Sequence, residues 1–583
     1  MMPVRKAGPA RLLPWGEFSS GALTLARDLP IVAAGLAVFY GLLSLARYWN
    51  SPLNTQAVIS LSPWALPKYA LFSLARLALA YWVSLLVTVV YAWVAAHNRK
   101  AERVMIPLLD TLQSIPVLSF LPGVMVSMAA LFPTRQLGVE MGSILLIFTG
   151  QVWNMTFSVY SSMKSIPREM LEAGEVYRLT WWQRLTQLEL PYSAIGLVWN
   201  SMMSVAGGWF FLMPCEMFVL NNRDLRLPGL GSYLQTAANA GDTGAILWGV
   251  AAMIAVIVML DQAIWRPVIA WSEKFKFEQV ESAHTPRSPL LEVLRRSRAL
   301  ARLSAATAGP LCEAITLRLA RRRSLGPGAT AARGMRRWLS LAIGAAALLG
   351  LLYAVLGMGK LLAGLSPSDL RNILAGAGCT FLRVELTLVL AGLWAIPVGV
   401  WAGLNPRISA VVQPLAQIAA SVPATALFPI VLLVLIRWGG GMGIAAIVLL
   451  LMGTQWYILF NVIAGAMAIP SDLKEVCDIY HVGRVERWRK LLLPAIFPYL
   501  LTGFVTASGG AWNASILAEY FHFHSRTFTV TGLGATISAA TDSGNLPLLY
   551  GATLMMVAMV VTINRLLWRR LYVLAQTRYK LES

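Results

Sequence analysis

Long apolar runs alternate with polar, often basic segments along the whole chain. A helix needs about 20 mostly apolar residues to cross a bilayer, and twelve runs are of about that length or longer. The pattern therefore predicts an all-α integral membrane protein with about twelve transmembrane helices. These spans are expected at 29–48, 69–96, 103–132, 137–163, 192–211, 245–265, 338–358, 379–404, 409–436, 441–467, 495–518 and 546–568.

The second half of the chain repeats the first. The polar segments 166–191 and 469–494 align with an offset of 303 residues, which also places Trp209 on Trp512. Earlier in each half the offset is 307, so a deletion is expected between the third and fourth spans of the second half. The predicted domains are a basic cytoplasmic N-terminus (1–28), a six-helix half (29–266), a basic cytoplasmic linker (267–337) and a second six-helix half (338–583).

Composition agrees with a membrane protein. The chain is 57% hydrophobic and 13% charged, which leaves too little polar surface to coat a soluble globule of this size. The excess of 48 Lys and Arg over 27 Asp and Glu would suit nucleic-acid binding, but basic loops beside membrane spans follow from the positive-inside rule. We therefore expect no nucleic-acid partner, and we expect the termini, the linker and both polar segments on the cytoplasmic side.

Two features near the ends of the spans leave alternatives open. The run that begins at residue 29 lacks a small-residue cleavage site, which favours a retained anchor over a cleaved signal. The linker either lies on anionic lipid as amphipathic helices or is a partly disordered tether.

Each polar segment predicts a helix, a turn and a second helix. Pro167 suits the first position of a helix, and Thr180 with Gln183 has the spacing of a capping box. Apolar side chains among the charges give the segment one adhesive face, on which a soluble partner could dock.

The residues Glu172-Ala173-Gly174, followed at a fixed distance by Leu190-Pro191, resemble the EAA loop of bacterial ABC importer permeases. The flanking residues narrow the resemblance to the nitrate, taurine and sulfonate group. The resemblance implies two type I importer permease halves fused in one chain, with coupling helices that contact ATPase subunits. It assigns ATPase coupling to Glu172, Ala173, Gly174, Arg178, Leu190, Pro191, Glu475, Val476, Cys477, His481, Gly483, Leu493 and Pro494.

The same resemblance implies the partners. They are two cytoplasmic ABC ATPase subunits, which would carry ATP and Mg, and an extracytoplasmic solute-binding protein in a bacterial inner membrane. The chain has no Walker A loop, so we expect it to bind no cofactor and to be no enzyme. The implied solutes are small anions or zwitterions such as nitrate, sulfonates and taurine.

The match departs from the family pattern at the turn. The glycine expected six residues after the leading glutamate is Arg178 in the first copy and His481 in the second. Since glycine is the residue that best tolerates a positive φ, we expect a differently shaped bend, with Gly483 supplying the turn in the second copy.

Polar residues on the fifth span of each half are candidates for the substrate pathway. They could equally be hydrogen-bonding contacts between helices, but their recurrence on two equivalent helices favours a pathway near the midplane. Trp209 and Trp512 are expected to close its outer gate. The set is Asn200, Ser204, Trp209, Ser508, Trp512, Asn513 and Ser515.

Arg76 and Arg383 recur at equivalent positions, as do Glu216 and Glu519. A charge inside the bilayer is costly, so these side chains are expected to pair or to reach the interface. Alternatively, the two arginines attract an anion to the outer mouth. The four cysteines show no spacing that indicates a metal site.

Two other classes of function compete with a permease of an ABC importer. A secondary transporter with two parallel six-helix repeats would need no polar coupling loops and would usually carry acidic residues in mid-span. An intramembrane enzyme would need a catalytic cluster at membrane depth, which the five histidines do not indicate.

Overall fold

A computed structural model describes the chain over residues 47–275 and 356–578, with breaks at 53–57, 221–222, 225, 361, 422–423, 440, 468, 470 and 524–525, and at the single positions 349 and 352. The N-terminal segment, nearly all of the predicted spans 29–48 and 338–358, and most of the linker therefore lie outside the described residues. The described chain forms two compact units. The smaller comprises 47–48, 166–195 and 262–275, and the larger comprises 49–165, 196–261 and the described residues from 349 on.

The described part of the first repeat is mostly helical. A 3-10 turn (Pro63–Ala65) leads into α1 (Leu66–His97), α2 (Arg99–Ser114), a second 3-10 turn (Val117–Phe120), α3 (Leu121–Leu131) and α4 (Leu137–Lys164). The polar segment forms α5 (Arg168–Val176) and α6 (Trp181–Arg184), and a π-helical turn (Leu185–Glu189) joins it to α7 (Leu190–Glu216). The repeat continues with β1 (Val219–Leu220), β2 (Arg223–Asp224), α8 (Leu230–Ala240), α9 (Thr243–Leu260), a π-helical turn (Asp261–Trp265), α10 (Arg266–Ser272) and a 3-10 turn (Glu273–Phe275).

The second repeat has the same order of elements. It contains α11 (Pro367–Leu404), α12 (Pro406–Ser421), α13 (Ala424–Arg437), α14 (Met442–Met467), α15 (Ser471–Ile479), α16 (Arg484–Arg487), a π-helical turn (Trp488–Leu492) and α17 (Leu493–Ala518). After it come β3 (Tyr520–Phe523), β4 (Arg526–Thr529), α18 (Leu533–Ser543), α19 (Leu546–Ile563), a π-helical turn (Asn564–Trp568) and α20 (Arg569–Arg578). Each pair of strands is an antiparallel hairpin, in which Val219 lies opposite Asp224 and Tyr520 opposite Thr529.

Seven helices among the described residues are long and apolar enough to cross a membrane. They confirm an all-α membrane protein built from two repeats. α4, the fourth predicted span of the first repeat, has 28 residues but includes Glu140 and Gln151 and is not one of the seven. The seven lie at Pro63–His97, Trp181–Glu216, Thr243–Ser272, Pro367–Leu404, Met442–Met467, Arg484–Ala518 and Leu546–Ala575.

The third predicted span, 103–132, is broken. α2 ends at Ser114, and Pro116 has an extended backbone with φ −61° and ψ 115° before the 3-10 turn begins. A proline cannot donate the backbone hydrogen bond that a continuous helix requires. The third predicted span of the second repeat, 409–436, overlaps α12 and α13, which lie on either side of residues outside the described part of the chain.

The local signals that begin and end helices recur at equivalent places in the two repeats. Asp242 and Asn545 accept hydrogen bonds from backbone N–H groups at the starts of α9 and α19. Just before them, Gly241 and Gly544 each end a helix in the left-handed conformation, with φ +68°. The duplication seen in sequence is therefore also present in backbone structure.

Contacts between the repeats are reciprocal. α9 contacts α12, and their counterparts α19 and α2 contact each other. In the same way, α8 contacts β3 and α18 contacts β1. Such exchanged contacts are those of an isologous, two-fold interface, so the repeats are related by a pseudo-two-fold axis.

A buried ion cluster joins four helices of the first repeat. Arg76 on α1 donates to both carboxylate oxygens of Glu140 on α4, at 2.7 and 2.6 Å, and to Glu216 at the end of α7, at 2.7 Å. All three side chains are fully buried. Glu216 also accepts from the backbone N–H of Gly231 at 2.8 Å, which ties the start of α8 to the cluster.

The second repeat contains the same cluster without its second carboxylate. Arg383 donates to Glu519, which also accepts from Thr380 at 2.8 Å and from the N–H of Gly534 at 2.8 Å. Gly443 stands where the first repeat has Glu140. Arg383 keeps 10% of its side chain exposed, whereas Arg76 has none.

We expect Arg76→Met to destabilise the protein more than Arg383→Met. Removing Arg76 leaves two buried carboxylates without their cation, and breaking a buried pair typically costs about 3–5 kcal/mol. Thermal unfolding of the purified full chain measures the difference. Adding Glu140→Gln to Arg76→Met should recover part of the loss, and equal losses for the two arginine variants would contradict this account.

Candidate functional site: the paired helix-turn-helix segments and the polar interior

The first helix-turn-helix segment ends its leading helix in a Schellman motif. The N–H of Leu179 donates to the carbonyl of Gly174 at 3.0 Å, and the N–H of Arg178 donates to that of Glu175 at 2.9 Å. This pair of bonds requires a left-handed residue just after the helix. Arg178 is that residue, with φ +50°. The capping box predicted at Thr180 is present, with reciprocal bonds to Gln183 of 3.0 and 3.3 Å.

The second segment has the same turn. The N–H of Val482 donates to Cys477 at 2.9 Å, the N–H of His481 donates to Asp478 at 3.2 Å, and His481 has φ +48°. Gly483 does not supply the bend, contrary to our prediction, because it lies at the start of α16 with φ −58°. That position holds Thr180 in the first segment, so the second lacks the threonine capping box.

Both bends therefore have a left-handed residue that is not glycine, and the expectation of a bend shaped differently from that of the family stays a prediction. Each repeat places a non-glycine residue in a conformation that costs roughly 1–2 kcal/mol for an L-residue. The two Schellman bonds must offset that cost. Gly174 is not needed for this turn, since a Cβ there would meet only ordinary contacts with Leu179 and Leu188.

An exposed apolar pair follows the motif residues in each segment. Val176 and Tyr177 are each 79% exposed, and their equivalents Ile479 and Tyr480 are 72% and 78% exposed. Exposed apolar side chains in matched positions make this pair a candidate for a surface that a partner covers. Sequence reasoning noted apolar residues in the segment but did not single out this pair, although both repeats carry it.

The motif residues lie on the exposed side of the segments. Glu172 and Ala173 are exposed, as are Glu475 and Val476, whereas Gly174 and Cys477 are half-buried. At the start of the following helix, Leu190, Pro191 and Pro494 are half-buried and Leu493 is exposed.

An arginine that recurs in both segments pairs differently in each. Arg184 donates to Glu189 at 2.7 Å, and its equivalent Arg487 donates to Asp478 at 2.7 Å. The first bond joins α6 to the π-helical turn, whereas the second closes the bend itself. The two segments thus share a backbone but not a side-chain network.

The two tryptophans expected to gate the pathway are buried within the protein. Trp209 is 2% exposed and Trp512 is 1% exposed, and the indole N–H of Trp512 has no hydrogen-bond partner among the described residues. The structure shows no ring contact between them among the described residues.

The remaining pathway candidates are buried or half-buried. Asn200 and Asn513 are half-buried and donate to carbonyls of their own helices, at 2.9 and 3.0 Å. Ser515 also bonds within its own helix, at 2.9 Å. Ser204 and Ser508 are 2% and 4% exposed.

One pathway candidate reaches the other repeat. The side-chain oxygen of Asn513 accepts from the backbone N–H of Leu118, at 3.4 Å. Leu118 lies in the 3-10 turn that interrupts the third span, and Thr553 on α19 donates to the carbonyl of the adjacent Ser119, also at 3.4 Å. Irregular backbone at membrane depth is tolerated where protein covers it or where it lines a cavity, and here it meets the opposite repeat.

Arg76 and Arg383 lie in the ion clusters and not at an open mouth. Their guanidinium groups already contact carboxylates, which favours pairing over the attraction of an anion. Sequence reasoning missed Glu140 because it has no equivalent in the second repeat.

It also missed Gln151 on α4. This side chain is fully buried, and neither its amide nitrogen nor its oxygen has a partner among the described residues. In the part of the chain that the structure describes, no group of His, Cys, Asp and Glu side chains could hold a metal ion.

The fold and these segments define a class: a duplicated, polytopic membrane protein with one helix-turn-helix segment in each repeat. Residues 85–261 and 395–577 both match the family of binding-protein-dependent transport system inner membrane components. Because the two matches cover more than half of the chain, it belongs to that family, and the family resemblance inferred from the sequence is confirmed.

Curated relatives belong to several transport systems. The chain is 32% identical over 137 residues to the bicarbonate transport system permease protein CmpB of Synechococcus elongatus, covering 24% of this chain and 48% of that protein. It is 30% identical, with the same coverage, to the nitrate import permease protein NrtB of Leptolyngbya laminosa. It is 24% identical over 160 residues to the taurine transport system permease protein TauC of Escherichia coli, covering 27% and 54%. The chain thus spans about half the length of the curated relatives it matches.

We expect Arg178→Gly and His481→Gly to stabilise their turns by about 1 kcal/mol each, since glycine adopts the left-handed conformation without a Cβ clash. Hydrogen exchange should show slower opening of the Leu179 and Val482 amides. Val176→Gly is the control, because glycine within a helix should lower protection. Faster exchange in the turn variants would show that their side chains hold the bend.

Proposed function

We propose that this chain is the membrane subunit of an ATP-driven importer, in which two fused permease halves form the translocation pathway. The observation that carries the proposal is the pair of helix-turn-helix segments, which share one turn geometry and one exposed apolar pair. Two matched docking surfaces suit two copies of one kind of partner, or two closely similar partners. The family of the chain indicates that these partners are cytoplasmic ATPase subunits, which would bind ATP and Mg.

The proposed cargo is a small anion or zwitterion, delivered by an extracytoplasmic solute-binding protein. Support comes from relatives named for bicarbonate, nitrate and taurine transport. These solutes share a small size and an anionic oxygen group. The proposed pathway lies between the pseudo-symmetric helices α7 and α17 and opens by alternating access.

The docking proposal predicts that Tyr177→Ala combined with Tyr480→Ala removes the ATPase partners. Tyrosines that become buried in an interface are often hot spots, whose truncation costs at least about 2 kcal/mol each. Co-purifying ATPase activity should therefore fall at least about tenfold. The measurement is ATP hydrolysis in material isolated through a tag on this chain from its own host.

Trp438→Ala is the matched control, because Trp438 is an aromatic residue that is 83% exposed but lies outside both segments. It should leave co-purification unchanged, and all variants should insert equally well. Undiminished ATPase activity in the double tyrosine variant would refute docking through these segments.

The gate proposal predicts that Trp512→Ala raises ATP hydrolysis or solute leak in the absence of a binding protein. The loss of a buried indole would leave the pathway incompletely closed, whereas Trp512→Phe should keep it closed because it keeps an aromatic ring. Reconstituted complexes in vesicles allow both measurements. If Trp512→Ala lowers only the thermal stability, with transport per folded molecule unchanged, the indole is a packing residue and the gate lies elsewhere.

A further inference from the structure

Helices of its own repeat pack against two sides of α17. A Cβ at Gly503 or Gly510 would meet Tyr457 on α14. On another side, Phe504 lies so close to α11 that a Cβ at Gly392 would contact its ring. These contacts fix the rotation of α17 about its axis, so helical spacing gives the direction of each remaining side.

One remaining side of α17 is polar and open. It carries Thr502, Thr506, Gly509 and Asn513, which recur every three or four residues and therefore share one face. Thr502 is exposed and the other three are half-buried. A Cβ at Gly509 would meet no atom of the described residues within 4 Å. Since the side-chain oxygen of Asn513 accepts from Leu118, this face is turned toward the first repeat.

The equivalent face of α7 has the opposite chemistry. At the offset of 303 residues, the four positions hold Trp199, Met203, Ala206 and Phe210. Trp199 and Met203 are large and apolar, yet 43% and 44% exposed. The pseudo-two-fold axis turns this face toward the second repeat, as it turns the matching face of α17 toward the first. The repeats therefore present an apolar wall and a polar wall to each other.

The polar wall is neutral and offers hydrogen bonds. The hydroxyls of Thr502 and Thr506 donate to carbonyls one turn earlier, at 3.0 and 2.9 Å. A hydroxyl also accepts hydrogen bonds, and it can exchange such a local bond for one to a solute. At the rise of an α-helix the two hydroxyls are separated by about 6 Å along its axis. This spacing suits a small head group, and the absence of charge from the four positions allows the head group to leave again.

The apolar wall suits a hydrocarbon chain. An inorganic anion such as nitrate has no apolar part and gains nothing from an indole and a thioether. A short alkyl chain, in contrast, is removed from water when it contacts them. A solute that uses both walls therefore has a polar head group and a few methylene groups.

We propose that the pathway selects small organic solutes, whose anionic or zwitterionic head group contacts Thr502 and Thr506 and whose short alkyl chain contacts Trp199 and Met203. This inference rests on the proposed function, because it takes α7 and α17 as the flanks of the pathway. It narrows the proposed cargo from small anions in general to those with a hydrocarbon part.

The first test asks whether the polar wall lines water. Thr502→Cys and Thr506→Cys are made in a full chain whose four native cysteines are replaced by alanine. In lipid nanodiscs, which leave both membrane faces open, a charged methanethiosulfonate should label them at least about tenfold faster than Thr387→Cys, because a thiol in apolar surroundings forms little thiolate. Thr387 is the matched control, since its hydroxyl also donates to a carbonyl one turn earlier, at 2.8 Å, but the residue is buried.

Labelling of both threonine positions by an uncharged maleimide alone would place this face in lipid and overturn the inference. The labelling reaction needs no ATPase subunit. Loss of ATP-driven transport would therefore contradict the proposed function without changing this result.

The second test asks which solutes the pathway accepts. Methanesulfonate, ethanesulfonate and propanesulfonate should slow the labelling of Thr506→Cys, and each added methylene should lower the protecting concentration about fourfold. Nitrate should protect no better than methanesulfonate. Adding Met203→Ala should remove most of the chain-length effect. Adding Leu247→Ala should not, because Leu247 is 61% exposed but lies on α9, outside both walls.

Two results of the second test would overturn the inference even if the polar wall is lined by water. One is the absence of protection by all three sulfonates. The other is protection that does not depend on chain length, or that nitrate gives equally well, because the apolar wall would then play no part in selecting the solute.

Discussion

A buried carboxylate at the end of α7 or α17, Glu216 or Glu519, constrains the structure around it. An ionised carboxylate away from water is tolerated only if cations and hydrogen-bond donors surround it. Arg76 or Arg383 from the first described membrane helix and the N–H groups that begin α8 or α18 meet that need. The glycines that precede these helices are required as well, because a Cβ at Gly229 would overlap with Glu216. These contacts hold the helices of each repeat together at this end. The proposed alternating access would therefore change the reciprocal contacts between the repeats.

The two repeats have the same backbone but not the same interior chemistry. Glu140 and Gln151 on α4 correspond to Gly443 and Thr454, and Ser204 corresponds to Ala507. The unpartnered polar atoms of Gln151 and Ser204 are therefore confined to the first repeat. Buried groups of this kind are costly unless a water or ligand meets them. In the other direction, Ser508, Asn513 and Ser515 on α17 correspond to Val205, Phe210 and Leu212 on α7. Each repeat thus places polar groups where the other repeat is apolar.

Much of this was predictable from the sequence, because the relevant signals are local or repeated. Hydropathy locates the membrane helices, and the spacing of Thr180 and Gln183 predicts the capping box that the structure contains. The left-handed conformation of Arg178 was not predictable in this way, because residue propensities assign that conformation to glycine. Hydrogen bonds that form only in the folded turn override this propensity. Glu140 was missed for a different reason: it has no equivalent in the second repeat, and its partner Arg76 is 64 residues away along the chain.

The two repeats differ in their interiors but match in the backbone of their helix-turn-helix segments. Fusion joins the halves covalently, so each half can diverge without losing its mate, and the interior has done so at Glu140 and Gln151. The turn at Arg178 and His481 has the same geometry in both repeats without glycine, at a conformational cost in both copies. The exposed pair beside it is equally matched in the two repeats. The proposed partner with two similar subunits would require matched segments on unmatched repeats, because it would constrain only the surfaces it touches and would leave the interior of each repeat free to diverge.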